Sequence, residues 1–393
     1  MIERWTCEMA FREAVVACDP AFRVRDALAS APLRGRNVIG LAIGKAALAM
    51  ARGAGPVTRG LVVAPLASAR RYSWTDLTPG WLVASGGHPV ADATSFAAGA
   101  WVLHLIDAVG PDDVVLALIS GGASALVEQP AVSREEYRKR VQAVMANGAS
   151  IHELNRVRTE LSAIKGGKLA ARCKAPIVTL VVSDVIGDDP RVVGSGPTVT
   201  DPLRDGDRVT VVVPMARFGI AVANALARYS VAASRVDDEG PADKLEPEME
   251  PPASESGVRW IEEPIADDVA VVADRLAAEQ GVIVAWGEPT LRVPADAGSG
   301  GRAQQLALEL AKRLRGSSRT AFVAGSDGID GPSTRGAAGA FVDGATWDAI
   351  IGAKIDPETA LRRCDAGTAL DAVGGLIVTG LTGINHADVV IIG

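Results

Sequence analysis

The stretch Val114–Leu126, VVLALISGGASAL, constrains this chain more than any other segment. Its opening run of six apolar residues fits a strand buried on both faces, the kind found inside a helix-covered parallel sheet. The run ends in Ser120-Gly121-Gly122-Ala123-Ser124, and an apolar-periodic segment follows. Strand, glycine-rich turn and helix start together suit an anion. Glycine lets the backbone approach a ligand closely, and a helix start favours negative charge. A tight turn with no ligand explains the same residues. Repetition of the unit along the chain decides between the two.

The unit does recur. Asn37–Ile43 (NVIGLAI) reads as a strand running into Gly44-Lys45 and the helix-forming AALAMARGA. The segment GLAIGKA is one residue short of a P-loop and has Ala46 where Ser or Thr would hold Mg²⁺, so a P-loop is excluded. Lys45 still falls at the carboxyl end of a strand, where open α/β sheets bind ligands. A strand is expected at Gly60–Ala64, and another, WLVA, leads into Ser85-Gly86-Gly87-His88. Segment 151–171 reads as two helical stretches parted by Gly166-Gly167, and its Asn155, Arg158, Lys165 and Lys168 either face a phosphate or form a solvated face. Ile177–Val182 then ends in Ser183-Asp184-Val185-Ile186-Gly187-Asp188-Asp189. Three carboxylates there are costly together without a cation or basic partner. With the donor loop Gly194-Ser195-Gly196-Pro197-Thr198 they suit an Mg²⁺–phosphate site, an Asp-capped surface turn being the alternative.

The second half repeats the theme after a break. Residues 237–257 (DDEGPADKLEPEMEPPASESG) are acidic and proline-rich, which predicts an exposed loop. The domain boundary is expected earlier, near Asp201-Pro202, dividing the chain into 1–205 and 206–393. Strand Gly281–Trp286 leads to the turn Gly287-Glu288-Pro289-Thr290. Gly300-Gly301-Arg302 opens a long amphipathic helix, and a cation at a helix N-terminus is unfavourable unless an anion lies beside it. Strand Thr320–Ala324 closes on Gly325-Ser326-Asp327-Gly328-Ile329-Asp330, which lacks the further ligands of a calcium loop. The last turn, Gly380–Asn385, precedes strand Asp388–Ile392. Strand ends of this kind, gathered at one side of parallel sheets, form a crevice suited to phosphoryl transfer.

Composition narrows the class. A chain of 393 residues implies two domains, and 48% hydrophobic residues with few aromatics suit a packed α/β protein. A net charge of −7 disfavours general nucleic-acid binding. Without a membrane-length apolar run or a signal-peptide pattern, a soluble cytoplasmic protein is expected. Cys7, Cys18, Cys173 and Cys364 stand too far apart for a CxxC zinc site or a disulfide framework and read as inert buried thiols. Hydride transfer lacks its GxGxxG, and acyl transfer its GxSxG elbow.

The ordered blocks GKAALAMA, GGHPVAD, SGGASAL, NRVRTELSAIKGGKLA, SDVIGDD with SGPT, GGRAQQLAL, GSDGIDGP and TGLTGINHAD resemble the type-2 glycerate kinase family with a MOFRL C-terminal region, from about Gly44 to Asp388. The resemblance implies two α/β domains, the first Rossmann-like with a mostly parallel sheet, and an active site in the cleft between them. It implies phosphorylation of D-glycerate to 2-phosphoglycerate with ATP and Mg²⁺. Lys45 and Arg302 become the catalytic candidates, neutralising charge on the phosphoryl group and the glycerate carboxylate. Asp184, with Asp188 or Asp189, would hold the metal. Gly121, Gly122, Ser124 and Ser195 would bind phosphate or carboxylate oxygens, alongside Glu288 and Asn385. Asp327 or Asp330 would orient the acceptor hydroxyl or share the metal. Ala123, Trp286, Gln305, Ser326, Ile384 and His386 depart from the family's motifs and bear on which acceptor is used. A kinase for another short hydroxy acid or sugar acid, a hydroxypyruvate reductase and a non-catalytic ligand sensor are the alternatives. Partners are small molecules, with a homodimer left open.

Overall fold

The computed structural model describes residues 2–71, 79–88, 90–146, 151–232, 250–253, 256–333 and 335–393. Most of the expected acidic loop at 237–257 lies outside the described residues. The chain forms two compact units, Asp19–Pro214 and Met1–Cys18 together with Met215–Gly393.

The Asp19–Pro214 unit holds strands β1 (Val38–Ile43), β2 (Arg59–Pro65), β3 (Trp81–Gly86), β4 (Val114–Ser120), β5 (Ile177–Val182) and β6 (Arg208–Val213). Their order is β3-β2-β1-β4-β5-β6, and every pairing is parallel. This is the Rossmann order, and its direction of winding reverses between β1 and β4. The continuous apolar run of β4 has a plain cause. Val115, Ala117 and Ile119 pack with Ala98, Val102 and Ile106 of helix Ala93–Asp107 on one face. Leu116 and Leu118 pack with Ala47, Met50 and Ala51 of helix Ala47–Ala54 on the other.

The second unit holds β7 (Val258–Trp260), β8 (Val282–Gly287), β9 (Thr320–Gly325), β10 (Gly339–Asp343), β11 (Leu376–Ile377) and β12 (Asp388–Ile392). Here the expectation of a parallel sheet is corrected. The order is β11-β10-β9-β12-β8-β7, and only β7 and β8 pair in parallel. A strand such as DVVII, buried on both faces, satisfies its side chains in either direction, so its apolar pattern does not reveal which one it takes. β12 lies antiparallel between β8 and β9, which therefore run the same way. Their carboxyl ends and the start of β12 share one edge, with Asp388 opposite both Gly287 and Gly325.

Helix Arg4–Ala17 belongs to this second unit. Phe11 meets Phe218 and Phe322 with ring centroids 5.3 and 5.7 Å apart. Arg4 donates to the carbonyl oxygens of Gly374 and Leu376 at 2.7 and 2.8 Å. All four cysteines are buried and outside any disulfide, and burial pushes the Cys7 thiol up to about 12. Among the described residues no helix is long and apolar enough to cross a membrane.

Candidate active site

In the Asp19–Pro214 unit the expected anion-binding residues gather at the reversal point between β1 and β4. Gly44 takes φ +133°, and a Cβ there would fall 2.1 Å from the Ser120 Oγ. That close approach lets the Ala46 N–H donate to Ser120 Oγ at 3.1 Å and the Lys45 N–H to the Gly121 carbonyl at 2.9 Å. Lys45, half-buried, is thereby fastened to the turn after β4. Gly122 is left-handed, and a Cβ on it would lie 3.1 Å from the His88 ring and 3.3 Å from Lys45 Cγ. An imidazole and an ammonium stem therefore flank the glycine turn.

The loop after β5 closes on the same place. Ser195 has φ +64° between two left-handed glycines, a strained choice for a residue with a Cβ. Its hydroxyl donates to Ser124 Oγ at 2.9 Å. Gly194 is required there, since a Cβ would meet that of Ala123 at 2.8 Å. Lys45, Gly121, Gly122, Ser124 and Ser195 thus form one cluster of donors.

Two other basic residues are corrected. Lys165 does not face a phosphate: its side chain is 1% exposed and ion-paired with the fully buried Glu128. Burial pushes its ammonium down, and Glu128 opposes that shift. Lys168 donates to the carbonyl oxygens of Thr159, Glu160 and Ser162 at 2.7, 3.0 and 2.7 Å, closing the carboxyl end of helix Ile151–Leu161.

The second cluster surrounds Arg302, the first residue of helix Arg302–Leu314. The anion that this cation needs is supplied by the protein. Arg302 Nε donates to Asp388 at 2.6 Å, and Nη2 donates to Glu288 at 2.7 Å. Burial alone would lower the guanidinium's pKa, but the two carboxylates raise it well above its ordinary value. Asp388, the first residue of β12, is buried and pushed up to about 7 by that burial, with Arg302 opposing. It is a site residue that the sequence reading missed, visible only as the last letter of TGLTGINHAD.

Asp330 takes a different place from the one expected. Its carboxylate accepts from the N–H groups of Gly301, Ala303 and Gln304 at 3.2, 3.1 and 2.8 Å, and from Gln304 Nε2 at 3.0 Å. It terminates the helix that carries Arg302, and burial raises its pKa. Asp327 stays half-buried at the end of β9, accepting from the Ile329 N–H at 3.2 Å. Asn385 is buried just ahead of β12. Gln305 donates to the Leu361 carbonyl at 2.9 Å, so that departure from the family motif is absorbed in the core.

The acids after β5 separate into two kinds. Arg191 Nε donates to both Asp189 oxygens at 2.9 and 3.1 Å, which holds that carboxyl below its ordinary range. Asp184 and Asp188 are half-buried, Asp188 with φ +53° after Gly187. Among the described residues no group of three or more His, Cys, Asp or Glu is gathered for a metal ion. Two carboxylates beside a hydroxyl-bearing loop do fit Mg²⁺ that arrives with phosphates, because that ion keeps waters and takes only one or two carboxylates.

A Rossmann-order sheet with ammonium, hydroxyl and glycine donors at its reversal point defines an α/β enzyme built to handle anionic substrates. Two sequence-family profiles match the chain: the domain of unknown function DUF4147 over residues 6–227 and the MOFRL family over residues 281–388. D-glycerate 2-kinase of Thermotoga maritima is 34% identical over 90% of this chain and 90% of its own. Glycerate 2-kinase of Pyrococcus horikoshii is 30% identical over 89% of this chain and 86% of its own. A protein of Agrobacterium vitis, provisionally named hydroxypyruvate reductase, is 35% identical over 98% of this chain and 93% of its own. The crystal structure of glycerate kinase from Thermotoga maritima matches with a TM-score of 0.79 at 27% identity, over 99% of this chain and 98% of that one. The chain belongs to the glycerate 2-kinase family with a MOFRL C-terminal region.

Proposed function

We propose that this protein transfers the γ-phosphoryl group of ATP to the 2-hydroxyl of D-glycerate, giving 2-phosphoglycerate and ADP. The observation that carries the reading is the fastening of Lys45 to the glycine turn after β4, in a chain whose glycerate 2-kinase relatives align along most of its length. In the reaction the hydroxyl oxygen forms a new bond to phosphorus as the bond to the bridging β-phosphate oxygen breaks. Little covalent work falls to the protein, so positioning and charge neutralisation dominate. Lys45 and the Gly121–Ser124 turn would bind phosphoryl oxygens, with Ser195 beside them. Arg302, aimed by Asp388 and Glu288, would offset the remaining anionic charge. Asp184 and Asp188 would hold Mg²⁺, which screens phosphate charge when bound. Asp327, half-buried at the end of β9, would take or orient the hydroxyl proton.

ADP release by purified protein with ATP, Mg²⁺ and D-glycerate, with product position read by NMR, tests this directly. Lys45→Ala and Arg302→Ala should each lower kcat by ~10²-fold, the range for charge-stabilising donors. Normal turnover in both folded variants would remove them from the mechanism. The name of the Agrobacterium vitis relative favours a second reading, reduction of hydroxypyruvate. Its test is NADH consumption, and the turn after β1, GLAIGKA, argues against it by lacking the dinucleotide GxGxxG.

A further inference from the structure

We infer that Glu128 and Lys165 are positioning residues: their buried ion pair is a clasp that holds the Gly121–Ser124 turn and the Gly194–Gly196 loop in mutual register. The kinetic part of this inference rests on the phosphotransferase reading.

The geometry runs through one short segment, 162–170. Its Lys165 ammonium grips Glu128, which stands just after the one-turn helix Ala123–Leu126 that follows the glycine turn. Glu128 is saturated. Besides Lys165 it accepts from Ser162 Oγ at 2.6 Å, from the Tyr137 hydroxyl at 2.9 Å and from the Gln129 N–H at 2.9 Å. The two residues after Lys165 grip the other loop. Gly166 and Gly167, both left-handed, donate their N–H groups to the carbonyls of Ser195 and Gly196, each at 2.8 Å. Ala170 adds a bond to the Pro197 carbonyl at 3.2 Å. One side of the segment thus holds the turn after β4 by charge, and the other holds the loop after β5 by backbone amides. The Ser195–Ser124 hydroxyl contact is where the two held loops meet.

Stability alone is a poor reason for such a pair. Desolvating two charges offsets most of their attraction, and apolar residues of similar size often hold a core as well. An ion pair does add direction. The carboxylate fixes where the ammonium sits, and hence where Gly166 and Gly167 present their N–H groups.

The test compares Glu128→Gln, Lys165→Met and Tyr137→Phe with wild type, by steady-state kinetics and by hydrogen exchange in the absence of substrate. Glu128→Gln and Lys165→Met should lower kcat by ~10-fold or more, with the KM for D-glycerate within about twofold, as loss of alignment rather than of binding predicts. Exchange should accelerate at 121–126 and 193–197 while β1 and β6 keep their wild-type protection. Tyr137→Phe, which leaves the ion pair intact, should show the same pattern at about threefold in kcat. It decides the question alone if the charge variants do not fold. Unchanged loop exchange with normal kcat in the folded variants would overturn the clasp. So would acceleration spread evenly over the sheet, since that marks a purely structural pair. If wild-type protein makes no ADP with any acceptor, the kinase reading fails, and the exchange comparison still decides the clasp.

Discussion

Asp388→Asn should uncouple activity from stability along the pH axis. In the wild type Asp388 is pushed from its ordinary 3.8 up to about 7, first by burial and then by the nearby Asp330 and Glu288 charges, with Arg302 pulling the other way. About a tenth of the side chain is ionised at pH 6 and about nine-tenths at pH 8. Only the ionised form accepts fully from Arg302 Nε, so kcat should fall as the pH drops through about 7. Glu288 keeps one grip on Arg302, which limits the loss to ~10-fold, near 1.4 kcal/mol of transition-state stabilisation.

Stability runs the opposite way. The folded pKa lies above the unfolded one, so the group's contribution is full below about 4 and is lost as the pH rises through about 7. A shift of roughly three units sets an upper bound of about 4 kcal/mol. Asp189, held low by Arg191, changes protonation below this window and drops out. Asp330 shifts in the same direction as Asp388, so part of the wild-type slope should survive in the variant. The assay is kcat and the urea midpoint for both proteins between pH 5.5 and 8.5. Taking wild type minus variant cancels the titrating groups that do not interact with Asp388. An acidic limb of kcat equally steep in Asp388→Asn, or a wild type that gains stability over the variant as pH rises, refutes the reasoning.

Three further outcomes follow from contacts already described. Gly44→Ala brings a methyl to within 2.1 Å of Ser120 Oγ at φ +133°, so the turn after β4 must shift. ADP formation should drop by ~10-fold or more, and the thermal midpoint should fall with it. Asp330→Ala strips acceptors from the Gly301, Ala303 and Gln304 N–H groups and should cost about 2–4 kcal/mol, read from denaturant unfolding. Arg191→Ala breaks exposed pairs with Asp189 and Asp201, so the denaturant midpoint should stay at its wild-type value in the same unfolding experiment.

Much of the first unit was legible in the chain. A strand buried on both faces announces itself by an unbroken apolar run, and β1, β2, β4 and β5 did so. The glycines of the turns were legible too, because a left-handed backbone angle is a local demand that glycine meets: Gly44 takes φ +133° and Gly122 φ +82°. β6, β7 and β10 went unseen, being short or mixed with charged residues.

What the sequence could determine, then, is what neighbouring residues decide among themselves: strand, turn, helix start, and the chemistry present at each strand end. It also carried the ordered motifs that place the chain in its family. Partnership at a distance was left to the tertiary structure. Arg302 finds Asp388 86 positions away because β12 inserts antiparallel between β8 and β9. Lys165 finds Glu128 37 positions away and leaves the surface altogether. A charge in a sequence has no address. Burial, and the partner that makes burial affordable, exist only once the sheets have closed around them.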